Sequence, residues 1–487
     1  MRLSNELCHR ARSLVADRLG LDFPEARRAD LEQGLLRGLR ASSLAAPEAY
    51  LAWLGALPDG SPEWGRLAGH LTVGETYFFR DRATFEALEQ HVLPTLIAIR
   101  RAEGVLRLRL WSAGCATGEE PYSLAILLHR LLLDHPDWVL TILATDINPE
   151  VLETARRGRY RPWSFRETPA WIRDRYFHSR GPDTFELDAG IRRTVTFAPL
   201  NLAEDGYPAV VTNTSAMDLV LCRNVLMYFT QGAQRATVAR LRRALVPGGW
   251  LVVSPAEGSA DLLGPLVPAT FPGAIFYRKE PAGDQGLGVG DWELGIGDPG
   301  TGVRDWGLGA GEWGSVASFP EPQLPAPNPY VSTPLPQPPP CVPQPPTPSP
   351  QALLEQARAL ADQGSLEQAR RLCEAALARN RLDPEAHLLL AAICQELGEI
   401  PAALDALRRA IYLAPDCAPA HFLLGSLLLR QEEHKRGRRC METVVSLLRA
   451  GPGDEPVPGY DGLTAGRLLE MARAYLDLNR EGLGAGG

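Results

Sequence analysis

The spacing of apolar positions changes along the chain. Up to about residue 70 it is helical, with Leu31, Leu35, Leu36 and Leu39 on one stripe and Arg37 and Arg40 off it. From about 71 to 280, strand-like and helix-like stretches alternate. VLRLRLW (105–111) alternates as a strand does, and a helix is expected over about 121–133. Further strands are expected at WVLTILATDI (138–147), TVTFAPLNL (194–202), MDLVLCRN (217–224), GGWLVVS (248–254) and AIFYRK (274–279), with a helix at about 231–245 before the last two. Strands alternating with helices predict an α/β, Rossmann-like parallel sheet covered on both faces, with ligand sites at the carboxyl ends of its strands.

Residues 281–350 lack the apolar positions for a core. Glycine dominates the first part, and 15 of the 32 residues from Phe319 to Pro350 are proline, which suits a stiff, extended spacer. DWELGIG (291–297) and DWGLGAG (305–311) are near-copies inside it, a candidate docking motif or drift in a simple sequence. Residues 351–480 repeat with a period of 34: Ala352, Ala386 and Ala420 correspond, as do Ala357, Ala391 and Gly425, and Gly364 matches Gly398. Small residues at helix crossings and Pro384 and Pro415 near the turns resemble tetratricopeptide repeats (TPR). About two and a half units are expected, with a third that is irregular around Gly437 and Gly451, and a closing helix over Leu463 to Leu478.

A chain of 487 residues exceeds one ordinary core. Its net charge of −8 argues against general nucleic-acid or acidic-membrane binding. No run reaches the roughly 18 apolar residues of a membrane span, and no signal-peptide pattern opens the sequence. The eight cysteines are scattered without metal-ligand spacing, so a reducing cytoplasm and no metal are expected.

The chemistry concentrates in WSAGCATGEEPYS (111–123). A dinucleotide fold needs G-x-G-x-x-G, and a P-loop needs lysine after its second glycine. Here Gly114 and Gly118 have the wrong spacing, and Glu119 and Glu120 follow, which would repel a phosphate. S-adenosylmethionine (SAM) has no phosphate and presents a cationic sulfonium and a cationic ammonium. A turn of small residues followed by carboxylates suits it, and Asp146, at the end of the second strand, is placed to hold ribose hydroxyls. Glu119 serves equally well as a favourable charge at a helix N-terminus.

Taken in order, LTVGETYFFRD (71–81), WSAGCATGEEPYS, ATDINPEVLETARRGRY (144–160), NL (201–202) and LVLCRNVLMYF (219–229) resemble the CheR family, methyltransferases that esterify glutamates of bacterial chemoreceptors. The resemblance implies a class I SAM-dependent methyltransferase fold over 71–280, an N-terminal helical domain over 1–70 and a small inserted antiparallel sheet at about 165–200. It also assigns residues. Gly74, Thr76 and Arg80 would face cofactor and acceptor, although Gly74 stands where many relatives carry asparagine. Gly114 would pass close to the cofactor, Glu120 would hold its methionine end, and Asp146 its ribose. Asn201 and Leu202 would border the adenine, and Cys222 and Arg223 would line the floor. Tyr228 would stand beside Arg80 at the point of transfer. Arg223 as a salt-bridge residue and Tyr228 as packing remain open alternatives.

Arg37 and Arg40 would meet acidic helices of the methyl-accepting receptor, and Gly34 and Gly38 stand where further basic residues often occur. The inserted segment is a few residues shorter than in relatives that grip a receptor tether, so no tether is expected. The last motif, SPAE (254–257), departs from a glycine-histidine-serine stretch. A protein-glutamate O-methyltransferase is therefore expected, with S-adenosylhomocysteine as product and an unidentified protein partner on the repeats. The competing functions are a SAM-sensing scaffold and a small-molecule methyltransferase.

Overall fold

The architecture comes from a computed structural model that describes residues 3–57, 61–72, 74–132, 137–209, 212–280, 348–431, 433–449, 451–453, 455–457 and 463–478. The expected Gly/Pro-rich spacer and its tryptophan-bearing near-copies lie outside the described residues, apart from residues 348–350.

Four helices open the chain: α1 (Asn5–Leu19), α2 (Arg28–Ala41), α3 (Pro47–Ala56) and α4 (Pro62–Leu71). The sheet region follows with α5 (Arg82–Ala87), α6 (Leu93–Ala102), β1 (Arg107–Ala113), α7 (Glu119–Leu131), β2 (Val139–Asp146) and α8 (Pro149–Arg157). Then come β3 (Arg159–Tyr160), α9 (Ala170–Tyr176), β4 (Phe177–Ser179), β5 (Phe185–Leu187), α10 (Ala189–Arg193) and β6 (Val195–Pro199). The region ends with β7 (Met217–Leu221), α11 (Gln231–Ala244), β8 (Leu245–Val252), α12 (Ala260–Leu263), β9 (Val267–Phe271) and β10 (Ala274–Arg278).

Seven strands form one sheet in the order β6-β2-β1-β7-β8-β10-β9. The strands from β6 to β8 are parallel, and β10 runs antiparallel to both of its neighbours. The chain leaves β1 to one side for β2 and later returns on the other for β7, so a crevice opens at the carboxyl end of β1. Pleating sends Leu108 and Leu110 to one face and Trp111 and Ala113 to the other. The first face packs on α5 to α8. The second shares a single apolar cluster with α1 to α4, including Val15, Leu31, Leu54 and Leu67. The opening helices are thus one layer of the same core.

Sequence and structure differ in places. Gly34 and Gly38 do not stand in a basic stripe: both are buried where α2 crosses its neighbours, Gly34 against Leu71 and Gly38 against the Tyr50 hydroxyl. A long side chain has no room there. Arg37 and Arg40 do lie on the exposed face of α2. The small antiparallel sheet, β3-β5-β4, spans 159–187 rather than 165–200, and TVTF belongs to the edge of the main sheet. Helix α7 starts at Glu119, not Pro121.

The repeats fold as hairpins: α13 (Pro350–Asp362) with α14 (Leu366–Arg379), α15 (Pro384–Leu397) with α16 (Ile400–Leu413), and α17 (Ala418–Arg430) with α18 (His434–Leu448). Helix α19 (Ala465–Leu478) closes the array. The third unit is therefore a full hairpin rather than a half. Gly437 fits its crossing because a Cβ there would lie 3.0 Å from the Gly425 carbonyl oxygen.

The repeats also touch the sheet region. Gly398 meets Val139 at the start of β2, and Gly364 meets Val246 at the start of β8. Arg109 of β1 and Glu396 of α15 form a buried ion pair, 3.5 Å apart. Helices α13 to α16 thus meet the amino ends of the strands, opposite the crevice, while α19 packs beside the loop after β6, where Arg467 pairs with Glu204.

Candidate functional site

A cavity of about 260 Å³ sits at the carboxyl ends of β1, β2, β6 and β7. Its walls include Gly74, Thr76, Arg80, Gly114, Glu120, Asp146, Asn201, Leu202, Arg223 and Tyr228, drawn from well-separated segments. Cys222 is the exception: it is fully buried below the floor, with its N–H donated to the Val252 carbonyl. Adjacent residues leaving a strand point to opposite faces, so once Arg223 enters the cavity Cys222 cannot.

Each wall follows from local chemistry. After β1 the chain turns through Gly114, with φ +86°. A Cβ at Gly114 would collide with the Val225 side chain, so only glycine lets the turn and the 224–228 loop approach each other. The amides of Gly114 and Cys115 both donate to the Thr145 carbonyl, tying the turn to β2. Asp146 receives the Ala116 N–H on one oxygen and the Asn148 N–H on the other, each at 2.9 Å. A carboxylate has about four acceptor positions. Acceptor capacity therefore remains for ribose hydroxyls, and burial pushes the carboxyl upward against the backbone N–H groups of Asn148, Ala116 and Ile147.

The segment TYFFRD is held by its aromatic residues. Phe78 packs among Tyr160, Phe165 and Phe177, with ring centroids 4.8 to 5.1 Å away. Phe79 and Asp81 both adopt positive φ, 57° and 66°, and the Phe79 N–H donates to the Ser123 hydroxyl. This kinked backbone turns Arg80, which lies between them, into the cavity, where its guanidinium donates to the Glu75 carbonyl at 2.7 Å.

Arg223 joins this segment to the turn. It donates to Glu120 Oε2 at 3.1 Å, to the Arg80 carbonyl at 2.9 Å and to the Asp81 carboxylate at 3.3 Å. Its role as a salt-bridge residue is thus visible. Glu120 also accepts from the Ser112 hydroxyl at 2.7 Å. Glu119 does not reach the cavity. It is buried, accepts from the Thr117 and Ser164 hydroxyls, and is pushed upward by burial. The charged groups on the walls are Glu75, Glu120 and Asp146 against Arg80 and Arg223, an acidic balance of one.

Other wall residues carry no sequence signal of their own. Leu19 and Leu21, around the left-handed Gly20, supply one apolar wall, and Leu21 bridges to Phe229. Glu257 is buried and its carboxylate accepts the N–H groups of Asn224, Val225 and Met227 at 2.7 to 3.2 Å. It therefore fixes the loop that presents Tyr228. The side-chain amide of Asn201 is committed to the Arg18 carbonyl and to Glu204, so at that position the backbone faces a ligand more freely than the side chain. Arg37 and Arg40 lie outside the cavity walls. Among the described residues, no group of three or more His, Cys, Asp or Glu side chains is placed to hold a metal ion, and no helix is long and apolar enough to cross a membrane.

Residues 74–261 match the family model described as CheR methyltransferase, SAM binding domain. Chemotaxis protein methyltransferase 1 of Pseudomonas aeruginosa is 36% identical over 39% of this chain and 69% of its own length. The chain belongs to the CheR methyltransferase family. It is a SAM-dependent methyltransferase. Chemotaxis protein methyltransferase 2 of Vibrio cholerae is 31% identical over 52% of this chain and 85% of its own. The CheR match stops before the repeats, where a tetratricopeptide-repeat model matches 354–416 and 395–455. A relative from P. aeruginosa, probable biofilm formation methyltransferase WspC, spans both parts: it is 31% identical over 88% of this chain and 96% of its own length.

Proposed function

We propose that this enzyme methylates glutamate side chains of chemoreceptors, producing methyl esters in a chemosensory pathway. The observation that carries the reading is the convergence of Asp146, Glu120, Arg80 and Tyr228 on one cavity with an apolar wall.

SAM, when bound, supplies an electrophilic methyl group on a sulfonium. The residues fit that ligand: Asp146 has spare acceptor capacity for ribose hydroxyls, Glu120 stands where an ammonium would be held, and Gly114 leaves no side chain in the way. The acceptor needs no general base, because a glutamate side chain with pKa about 4.3 is already a carboxylate at neutral pH. The task left to the chain is positioning. Arg80 orients the acceptor carboxylate, and the Tyr228 hydroxyl donates to its second oxygen. Leu19, Leu21 and Phe229 keep water away from a transfer in which opposite charges disappear. Holding reactants at near-attack distance can contribute about 7–11 kcal/mol. Arg37 and Arg40, on the exposed face of α2, meet acidic receptor helices.

Mass spectrometry of receptor cytoplasmic fragments incubated with enzyme and SAM tests this. The expected product is a base-labile gain of one methyl per modified glutamate. Transfer to a small metabolite with none to receptors would refute it.

A further inference from the structure

Behind the apolar wall of the cofactor cavity lies a larger one, about 650 Å³, and the two share Leu19, Ile147, Leu200 and Asn201. Its far side is built from the repeats: Arg467, Glu470 and Met471 of α19. Across it runs a continuous polar chain. Arg467 Nη1 pairs with Glu204 Oε2 at 3.0 Å, and Glu204 Oε1 accepts from Asn201 Nδ2 at 2.8 Å. The same Asn201 nitrogen donates to the Arg18 carbonyl at the end of α1, 3.0 Å away. The second acid beside the arginine, Glu470, lies 3.3 Å from Nη1, and burial pushes its carboxyl up to about 8.

We propose that Arg467 is a positioning residue for cofactor binding, so that the closing helix of the repeats tunes the adenosine wall through Glu204 and Asn201. The inference rests on the reading of the first cavity as the SAM site. Its physical basis is the commitment of Asn201. With Arg467 holding Glu204, the Asn201 amide is fixed and the 200–202 backbone keeps its place in the wall. Without Arg467 the Glu204 carboxylate, about a quarter exposed, turns to water, and Asn201 loses one of its three side-chain hydrogen bonds, keeping those to the Arg18 carbonyl and the Ala203 N–H. A protein that pulls α19 away from the sheet would then be read out as weaker cofactor binding. Arg467 lies behind the wall and touches neither Arg80 nor Tyr228, so the transfer step itself is unaffected.

Calorimetric titration of S-adenosylhomocysteine into the full chain, paired with receptor-methylation kinetics, provides the test. Arg467→Ala is expected to weaken binding 3- to 10-fold and to raise KM for SAM in proportion, leaving kcat at saturation unchanged. Arg467→Lys should restore part of the loss. Glu204→Gln, in the loop after β6, should reproduce the effect should Arg467→Ala not fold, and the double variant should be no weaker than either single one. Wild-type affinity in both Arg467→Ala and Glu204→Gln would overturn the proposal. A wild-type chain that does not bind S-adenosylhomocysteine would instead sink the reading of the cavity.

Discussion

The two ends of the central sheet are built from the same strands and serve opposite purposes. At the carboxyl end, polar side chains keep spare hydrogen-bonding capacity. Asp146 accepts the Ala116 and Asn148 N–H groups on separate oxygens, and Arg80 donates to the Glu75 carbonyl and lies over the Tyr77 ring, 5.9 Å from its centroid. At the amino end a charged pair is buried instead. Arg109 is 2% exposed, bonded to the Ser215 and Asn213 carbonyls and paired with Glu396 of the repeats, which is itself 3% exposed. One end keeps its polar groups available for a ligand, while the other uses them to fasten a second set of helices. The difference teaches that burial and charge alone do not mark a site. Unspent hydrogen-bonding capacity at an open cavity does.

Substitutions can break that contrast. The largest effect is expected from Arg80→Ala, which should lower kcat about 100-fold while S-adenosylhomocysteine still binds, as loss of a charged donor at the reacting group does. Steady-state kinetics with calorimetry would check both halves. Next, Asp146→Asn should weaken S-adenosylhomocysteine binding about 10- to 100-fold, the range for hydrogen bonds to a charged group. At the other end, Glu396→Ala should destabilise the fold by about 1–3 kcal/mol in urea melts and leave kcat unchanged, since Arg109 keeps its carbonyl partners.

The last expectation concerns pH. The Glu470 carboxyl is raised from 4.5 to about 8, mainly by burial and against the pull of Arg467. A carboxyl raised on folding favours the folded state below its unfolded pKa, and that contribution is lost as pH climbs from about 4.5 through about 8. Glu470→Gln should therefore be more stable than the parent at pH 8.5 and little different at pH 4.5, as thermal melts would reveal.

Much of the cofactor end was legible because its signals are local. Gly114, the acids after it and Asp146 at a strand end each announce themselves within a few residues. The rest depends on distant partners. Leu19 and Leu21 read as ordinary helix-end leucines, and only the fold turns them into a cavity wall. Glu257 lies in a motif that departs from its relatives, and besides the nearby Ser254 it accepts three N–H groups from about thirty residues earlier. Strand β9 carries no strand signal because its side chains are mostly exposed and proline interrupts it. The short strands β3, β4 and β5 are too brief to carry a period. A different signal lay in VLRLRLW. Strands inside a parallel sheet are ordinarily apolar throughout, so Arg107 and Arg109 within β1 already implied an unusual cover at that end. The repeats provide it. Gly34 and Gly38 misled in the opposite way, since absence of charge there reflects close helix packing.

The most direct test of the division between the two ends is a crystal structure of the full chain with S-adenosylhomocysteine. The account predicts the ribose hydroxyls within hydrogen-bond distance of both Asp146 oxygens, the amino-acid end at Glu120 and the sulfur facing Arg80 and Tyr228. A ligand seated instead in the larger cavity beside Trp64 and Met471 would contradict it.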